Sequence, residues 1–537
     1  MKSWLILGIA AALSVTASGC REYVSGEDAG GARDANGAMD AGSATDAGGA
    51  ADSGASNDAG PSVLASSTVD WGDEKQEIDG FGGSNAWSTL PSGSTGDTIV
   101  KLLFSTSQGA GLSMIRNRIP FREAPQYSDK FVMYAGSDGN PTTTGTSNNG
   151  NSGDYYSYVS NDGSKTFSLN WSSWDLSNTR KLYEKVGSLG SDAEVRTVFS
   201  TPWTPPNNSV SNWKKGVSDV VNHPEIGGTL DPNHYADYAD LLADYALGFE
   251  GQMGISLGAV SIQNEPNWVP DSYEGCRWTA SNIHDFLAVL KQEFAKKNVP
   301  SSIKVMAPED ANFKEDLIAS TLDDSAISDV VGIVAVHQYG SGARMLPTTK
   351  ASGKKLWQTE VSNGGSNDPS INDGLTWAKL IHADLALAEV NAFCYWWLWK
   401  SDSAGASPSG SALVNIATDG TLTQNKRLFT LGQFSRFVRP GWHRIGATEK
   451  PLNQVYQTAF RDVSANRIAV VLINDSSEEA GLSLQLYNAR SFGGLAAYRT
   501  SASESLADVG PVDVDGAQCR VILPGRSVTT LYGSVNP

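Results

Sequence analysis

Histidine and cysteine are scarce in this chain, which has 6 His and 4 Cys in 537 residues. It has no Cys-x-x-Cys pair and no histidine cluster, so the usual zinc sites are excluded. Charge is sparse too, at 18% of residues, and 40 Lys and Arg face 58 Asp and Glu for a net charge of −18. That balance argues against nucleic acid or an anionic lipid surface as the main partner. The apolar run over residues 4–15 follows Lys2 and leads through small residues to Cys20. It is too short for a stable membrane span and has the form of an export signal. Beyond Cys20 only Cys276, Cys394 and Cys519 remain. An odd number leaves at least one free thiol, with a Cys276–Cys394 disulfide as the open pairing.

Thr16-Ala17-Ser18-Gly19-Cys20 resembles a bacterial lipobox, although Ala17 stands where Leu is preferred. The resemblance implies that Cys20 is lipidated and becomes the mature N-terminus. Arg21, rather than Asp, then favours the outer membrane or cell surface; simple secretion is the alternative. Residues 21–61 are Ala, Gly, Asp and Ser, with Asp28, Asp34, Asp40, Asp46, Asp52 and Asp58 at every sixth position. Such a segment cannot bury enough surface to offset its conformational entropy, so it is expected to be a self-repelling tether. Its random-coil span is roughly 35 Å or more. Single Asp residues at this spacing lack the dense ligand set of a calcium repeat.

Gly (55), Tyr (17) and Trp (15) are abundant. Aromatic faces that stack on C–H surfaces while their polar edges stay wet suit an extracellular enzyme acting on sugars. After short strands over 62–79, apolar segments at 80–84, 112–118, 195–200, 259–263, 303–307, 332–337, 355–359 and 392–398 lack period-2 alternation. Strands buried on both faces have that pattern. Helical spacing at 235–249 and 281–296 lies between them, and the whole predicts a (β/α)8 barrel over 80–440. From 441 to 537 short strands at 455–460, 467–474, 481–486, 495–499, 519–523 and 528–532 predict an antiparallel side β-sandwich, which the 62–79 segment joins.

Two of the barrel strands end on a glutamate, in Ser261-Ile262-Gln263-Asn264-Glu265-Pro266 and Leu356-Trp357-Gln358-Thr359-Glu360. C-terminal strand tips of such a barrel open onto one face, which carries the chemistry. Glycosidic cleavage needs two carboxyls there, one protonated to assist the leaving oxygen and one ionised to attack the sugar carbon.

These segments, with Ile78-Asp79-Gly80-Phe81-Gly82-Gly83-Ser84, Ser200-Thr201-Pro202-Trp203-Thr204-Pro205-Pro206 and Gln433-Phe434-Ser435-Arg436-Phe437-Val438-Arg439-Pro440-Gly441-Trp442, resemble glycoside hydrolase family 30 over most of 70–537. The resemblance implies a retaining hydrolase with Glu265 as acid/base and Glu360 as nucleophile. Asn264 is expected to reach a sugar 2-hydroxyl, and Arg116, or its neighbour Arg118, to orient the nucleophile. Tyr339 is expected to hydrogen-bond near Glu360. His337 is a site residue or packs structurally. Trp203 and Trp397 are the expected stacking rings, with Trp87 a stacking ring or core. The pattern Tyr273-Glu274-Gly275-Cys276-Arg277-Trp278-Thr279 points to the xylan-cleaving branch, so the expected substrate is a xylan-type hemicellulose, cut by a monomer without cofactor or metal. Glucuronoxylan-specific members carry an Arg after strand eight. Here the loop reads Trp399-Lys400-Ser401-Asp402-Ser403, which leaves Lys400 or Arg277 as substitutes. A long loop over 121–175, with Tyr155, Tyr156, Tyr158, Trp171 and Trp174, is expected to wall the cleft. The alternatives are a β-1,6-glucanase, a glucosylceramidase-like β-glycosidase, or a non-catalytic carbohydrate-binding surface protein.

Overall fold

The computed structural model describes residues 64–537 apart from 121, 124–154, 162–163, 170, 208–212, 221–224, 271–272 and 403–406; for 122–123 and 155–168 it describes the backbone alone. The export signal, Cys20 and the tether over 21–61 lie outside the described residues.

Eight parallel strands form a closed barrel: β1 (Gly80–Ser84), β2 (Met114–Ile119), β3 (Thr197–Pro202), β4 (Leu257–Ser261), β5 (Lys304–Asp310), β6 (Val331–His337), β7 (Lys355–Glu360) and β8 (Ala392–Ser401). They pair in the order β7-β6-β5-β4-β3-β2-β1-β8, and β8 closes onto β7. Each expected strand is present, displaced by at most three residues at an end. Their continuous apolar character has a simple cause. Met114, Phe199, Ala259, Met306, Ile333, Ala335, Trp357, Ala392 and Cys394 fill the barrel interior, while helices cover the outside. Close approach shapes the first strand: a Cβ on Gly82 would lie 2.3 Å from the Met114 carbonyl oxygen.

The helix expected over 235–249 runs Tyr235–Met253 and ends on Gly254 in the left-handed conformation. The next runs Ala280–Lys296, starting one residue before the expected start, and its cap is Thr279 with Asn282 in a reciprocal box. Among the described residues no helix is long and apolar enough to cross a membrane.

The sandwich is one ten-stranded sheet that folds over its own core of Val69, Ile445, Val470, Leu484, Leu531 and their neighbours. All six expected strands are there, joined by His443–Ala447, Ala507–Pro511 and Asp513–Asp515. The sheet departs from the antiparallel expectation at one place. The first strand, Ala65–Glu77, pairs antiparallel with His443–Ala447 and parallel with Ala480–Tyr487. Its two neighbours run in opposite directions, so it cannot be antiparallel to both. The helix Lys426–Ser435 ties the two parts together: the Gln433 side chain donates to Thr500 Oγ1 at 2.9 Å and accepts from Thr530 Oγ1 at 2.6 Å.

All three cysteines of the described part are free and buried. The open Cys276–Cys394 pairing is not made, because Cys394 lies inside the barrel while Cys276 packs in the outer core.

Because the first strand zips the two directions of the sandwich together, Val69, which it buries in the core beside Trp71, is a sensitive point. Val69→Asp puts an unpaired carboxylate in that core and is expected to destabilise the sandwich by about 3 kcal/mol or more. Urea unfolding checks this; an unchanged midpoint would show that the strand is dispensable.

Candidate active site

The chemistry gathers one layer above the barrel core. Side chains on a strand share a face at every second position. On β2, Met114 fills the interior, so Arg116 and then Arg118 rise from the same face toward the C-terminal mouth. Arg116 is completely buried. One Nη donates to Glu360 Oε2, and the other to Asn264 Oδ1 at 2.6 Å and to Glu309 Oε1 at 3.2 Å. Its guanidinium lies 4.7 Å from the Trp203 ring centre and 5.6 Å from Trp396. Arg118, the alternative orienting residue, is equally buried but pairs with Asp175 and Glu274 and lies over Trp87 at 5.1 Å. The two arginines differ in depth, not in face, and only the deeper one reaches Glu360.

Glu265 and Glu360 meet from β4 and β7. The Glu265 amide donates to the Glu309 carbonyl at 3.1 Å, and the Asn264 amide to the Pro202 carbonyl at 2.8 Å. The tip of β4 is thereby pinned to both neighbours. Glu265 itself sits at φ +45° and Glu309 at φ +57°, in the left-handed region that non-glycine residues avoid. Such conformations cost about 1–3 kcal/mol each and persist where the surroundings over-determine them. His337 closes β6. A register shift between Val336 and His337 sets it beside Glu360, and its Nδ1 lies 2.9 Å from Glu265 Oε1. The Tyr339 hydroxyl donates to Glu360 Oε1 at 2.9 Å while its ring stays exposed. Oxygens of Glu265 and Glu360 approach within 4.8 Å.

Charge is balanced locally. Burial pushes the Glu360 carboxyl up, and the positive charges of His337 and Arg116 oppose that. For His337, burial works against the imidazolium, but the charge of Glu360 and the contacts with Glu265 and Glu309 raise it to about 9. Burial would raise Glu309, yet Arg116 and His337 hold it down to about 2. Arg116 and His337 thus face the carboxyl groups of Glu309 and Glu360. Glu265, His337 and Glu360 also have the spacing of a metal cluster. The imidazole is already engaged, with Nδ1 on Glu265 and Nε2 3.9 Å from Glu309.

Several residues were not visible as site residues in the sequence. Glu309 is the buried carboxylate that shares Arg116; its one sequence signal is a third strand, β5, ending on an acid. The stacking assignment also needs correction. Trp203 and Trp397 are 2% and 5% exposed, and the Trp397 indole donates to the Ala86 carbonyl at 2.8 Å. Trp87 and Trp396 are the partly open members of this cluster, with ring centres 6.0 Å apart. Alternation accounts for Trp396: Ala392 and Cys394 face the interior, so Trp396 falls on the same face, and the pairing with β1 shifts register between Tyr395 and Trp397. Of the long loop over 121–175, the side chains of Tyr155, Tyr156 and Tyr158 lie outside the described residues. Trp171 is not a cleft wall. It stacks on Tyr245 of the helix Tyr235–Met253 at 5.4 Å. Trp174 opens the helix Trp174–Gly187 and donates to Thr89 Oγ1 at 3.1 Å.

His337 gives the site a pH signature. A raised folded value means that its stabilisation is complete below its unfolded value of about 6.5 and is lost as pH rises through about 9. His337→Gln is therefore expected to flatten the fall in Tm between pH 7 and 10, measured by calorimetry. A fall as steep as in the wild type would exclude a charged His337.

No known family profile matches the chain. It is 29% identical over 362 residues to the glucuronoxylanase XynC of Bacillus subtilis (strain 168), covering 66% of this chain and 78% of that one. Among solved structures, a glycoside hydrolase family 30 subfamily 8 xylanase from Clostridium acetobutylicum is 27% identical, with a TM-score of 0.64 over 88% of this chain and 100% of that one. A GH30 endoxylanase from Clostridium papyrosolvens C71 is 26% identical, with a TM-score of 0.63 over 87% and 100%. An endo-β-1,6-glucanase shares the fold at 19% identity, with a TM-score of 0.62 over 88% of this chain and 96% of that one. In sequence and in architecture the chain is similar to glycoside hydrolase family 30 xylanases.

Proposed function

We propose that this enzyme cuts the β-1,4-xylan backbone internally, by double displacement with retention, and without strict dependence on a glucuronate branch. The closeness of the two carboxylates carries the mechanism. Direct attack needs carboxyl groups about 5–5.5 Å apart, whereas an inverting pair stands about 6.5–9.5 Å apart to admit a water. An approach within 4.8 Å fits the first arrangement.

In the first step Glu360 attacks the anomeric carbon. Glu265 gives its proton to the glycosidic oxygen, the bond from the anomeric carbon to that oxygen breaks, and a glycosyl ester forms on Glu360. In the second step Glu265 takes a proton from water, the hydroxide adds to the anomeric carbon, and the ester bond breaks to regenerate the Glu360 carboxylate. His337 occupies Oε1 of Glu265, which leaves Oε2 to carry the proton. Arg116 and Tyr339 hold both oxygens of Glu360 and fix the attack direction. Asn264 commits its Oδ1 to Arg116, so its Nδ2 is the donor for a sugar 2-hydroxyl. Trp87 and Trp396 supply the stacking faces. Xylan as substrate is supported by the named activities of the relatives at 26–29% identity.

The branch argument rests on the loop after β8. Lys400, expected in that loop, is the penultimate residue of β8 itself, 8% exposed, with its ammonium 4.6 Å over the Trp397 ring. Lysine lacks the planar fork that grips a carboxylate bidentately. Arg277 is exposed on the loop after β4. A lipid on Cys20 and the 21–61 tether, as the sequence implies, would hold the enzyme at the outer membrane or cell surface, or leave it secreted if the lipid is absent.

Glu360→Gln is expected to keep the fold and lose several orders of magnitude in kcat, on the order of 5 kcal/mol or more. More than a tenth of wild-type activity would remove Glu360 as nucleophile. Glu265→Ala should still release phenol from activated aryl glycosides in a burst, with azide rescuing the second step. Equal loss on activated and natural substrates, without rescue, would count against Glu265 as the acid.

Branch dependence is tested with matched xylo-oligosaccharides. A charge-assisted Arg–carboxylate contact contributes about 1.5–3 kcal/mol. Without it, kcat/KM with and without a methylglucuronate branch should agree within about tenfold, since 1.4 kcal/mol is one decade. A preference above about a thousandfold for the branched form would overturn this reading.

A further inference from the structure

One aromatic ring near the acid is not used by this mechanism. Trp268 is 56% exposed, more open than any other tryptophan among the described residues. It is also held in place. Its amide donates to the Glu265 carbonyl at 2.9 Å, closing a tight turn directly after the acid. The preceding residue, Asn267, donates to Asp310 Oδ1 at 2.8 Å and accepts from the Ala311 amide at 3.0 Å. The indole N–H donates to the Tyr273 hydroxyl at 3.2 Å. Exposing a large apolar face has a cost, and fixing its backbone and its polar edge adds ordering that a merely solvated side chain does not need.

Position gives the ring its meaning. The aromatic cluster of Trp87, Trp203 and Trp396 lies on the β1, β3 and β8 side of the site, with Asn264 and Arg116. Trp268 lies on the opposite side of Glu265, where Asn267 anchors to the tip of β5. The acid stands between the sugar that is transferred to Glu360 and the oxygen that leaves. Its far side is therefore the leaving-group side. We propose that the Trp268 indole, locked by Tyr273, is the stacking platform for the sugar units on the leaving-group side of the cut bond. The inference rests on the retaining glycosidase reading above. A flat ring whose orientation is already fixed loses little further freedom on meeting a pyranose face, so its contribution should appear in binding of the leaving chain.

The test follows where end-labelled oligosaccharides are cut. The wild type first decides the series, xylohexaose or a β-1,6-gluco-oligosaccharide of the same length. On that series Trp268→Ala should raise KM about tenfold, equivalent to about 1.4 kcal/mol. It should also move the preferred cut toward the reducing end, so that fewer units occupy the leaving side. Trp268→Phe should restore most of the wild-type pattern, and Trp268→Leu, bulky but without a flat face, should not. A wild-type cutting pattern in both the Ala and Leu variants would overturn the platform while leaving the glycosidase reading intact. A wild type inert on both series would overturn that reading and the platform with it. Should the Ala variant fail to fold, the Phe–Leu comparison decides.

Discussion

The site depends on one buried cation. Arg116 has no access to water, so its charge must be compensated within the protein, and an uncompensated ion there would cost several kcal/mol. Compensation comes from three strands at once: Glu360 from β7, Asn264 from the tip of β4 and Glu309 from β5. That single guanidinium therefore sets the distance between strands that are far apart in sequence. It also aims the Glu360 carboxyl and turns the Asn264 amide. Arginine suits this position because its rigid fork serves several acceptors with fixed geometry, where a lysine would act as a point charge.

Around that cation the backbone departs from its comfortable range. Glu265, Glu309 and Trp87 all have positive φ without being glycine, and all three line the same mouth. Hydrogen bonds from Asn264, Glu265 and Tyr339 to the neighbouring tips hold this arrangement in place. The strain and the pins belong together: a carboxylate on a relaxed strand end would follow the pleat and miss its partner. The side sandwich acts from below, since Ala65–Glu77 leads directly into β1 and Gln433 fastens the last barrel helix to the sandwich.

The barrel was legible because its strands carry continuous apolar runs between turn residues, and the two glutamate-bearing tips because Asn-Glu-Pro and Gln-Thr-Glu end such runs. Arg116, His337 and Tyr339 were found as residues, and Arg116 and His337 lie on inward strand positions near a tip. What failed depended on tertiary placement. Of the adjacent Trp396 and Trp397, one faces in and one out, and the choice follows only once Ala392 and Cys394 are known to fill the barrel interior. Glu309 escaped because its role comes from a partner on another strand. Trp171 looked like a loop aromatic but packs on a helix that begins more than sixty residues later, a long-range contact that spacing cannot reveal. The parallel pairing of the first strand was hidden for the same reason.

The central claim is that Glu265 and Glu360 are near enough for a covalent intermediate. Proton NMR of the anomeric signals during the first minutes of oligosaccharide hydrolysis, before mutarotation, tests it most directly. The account expects the β-anomer of the new reducing end to accumulate first and the α-anomer to follow by slow equilibration. Initial appearance of the α-anomer would mean inversion through a water between the carboxylates, and would contradict the geometry described here.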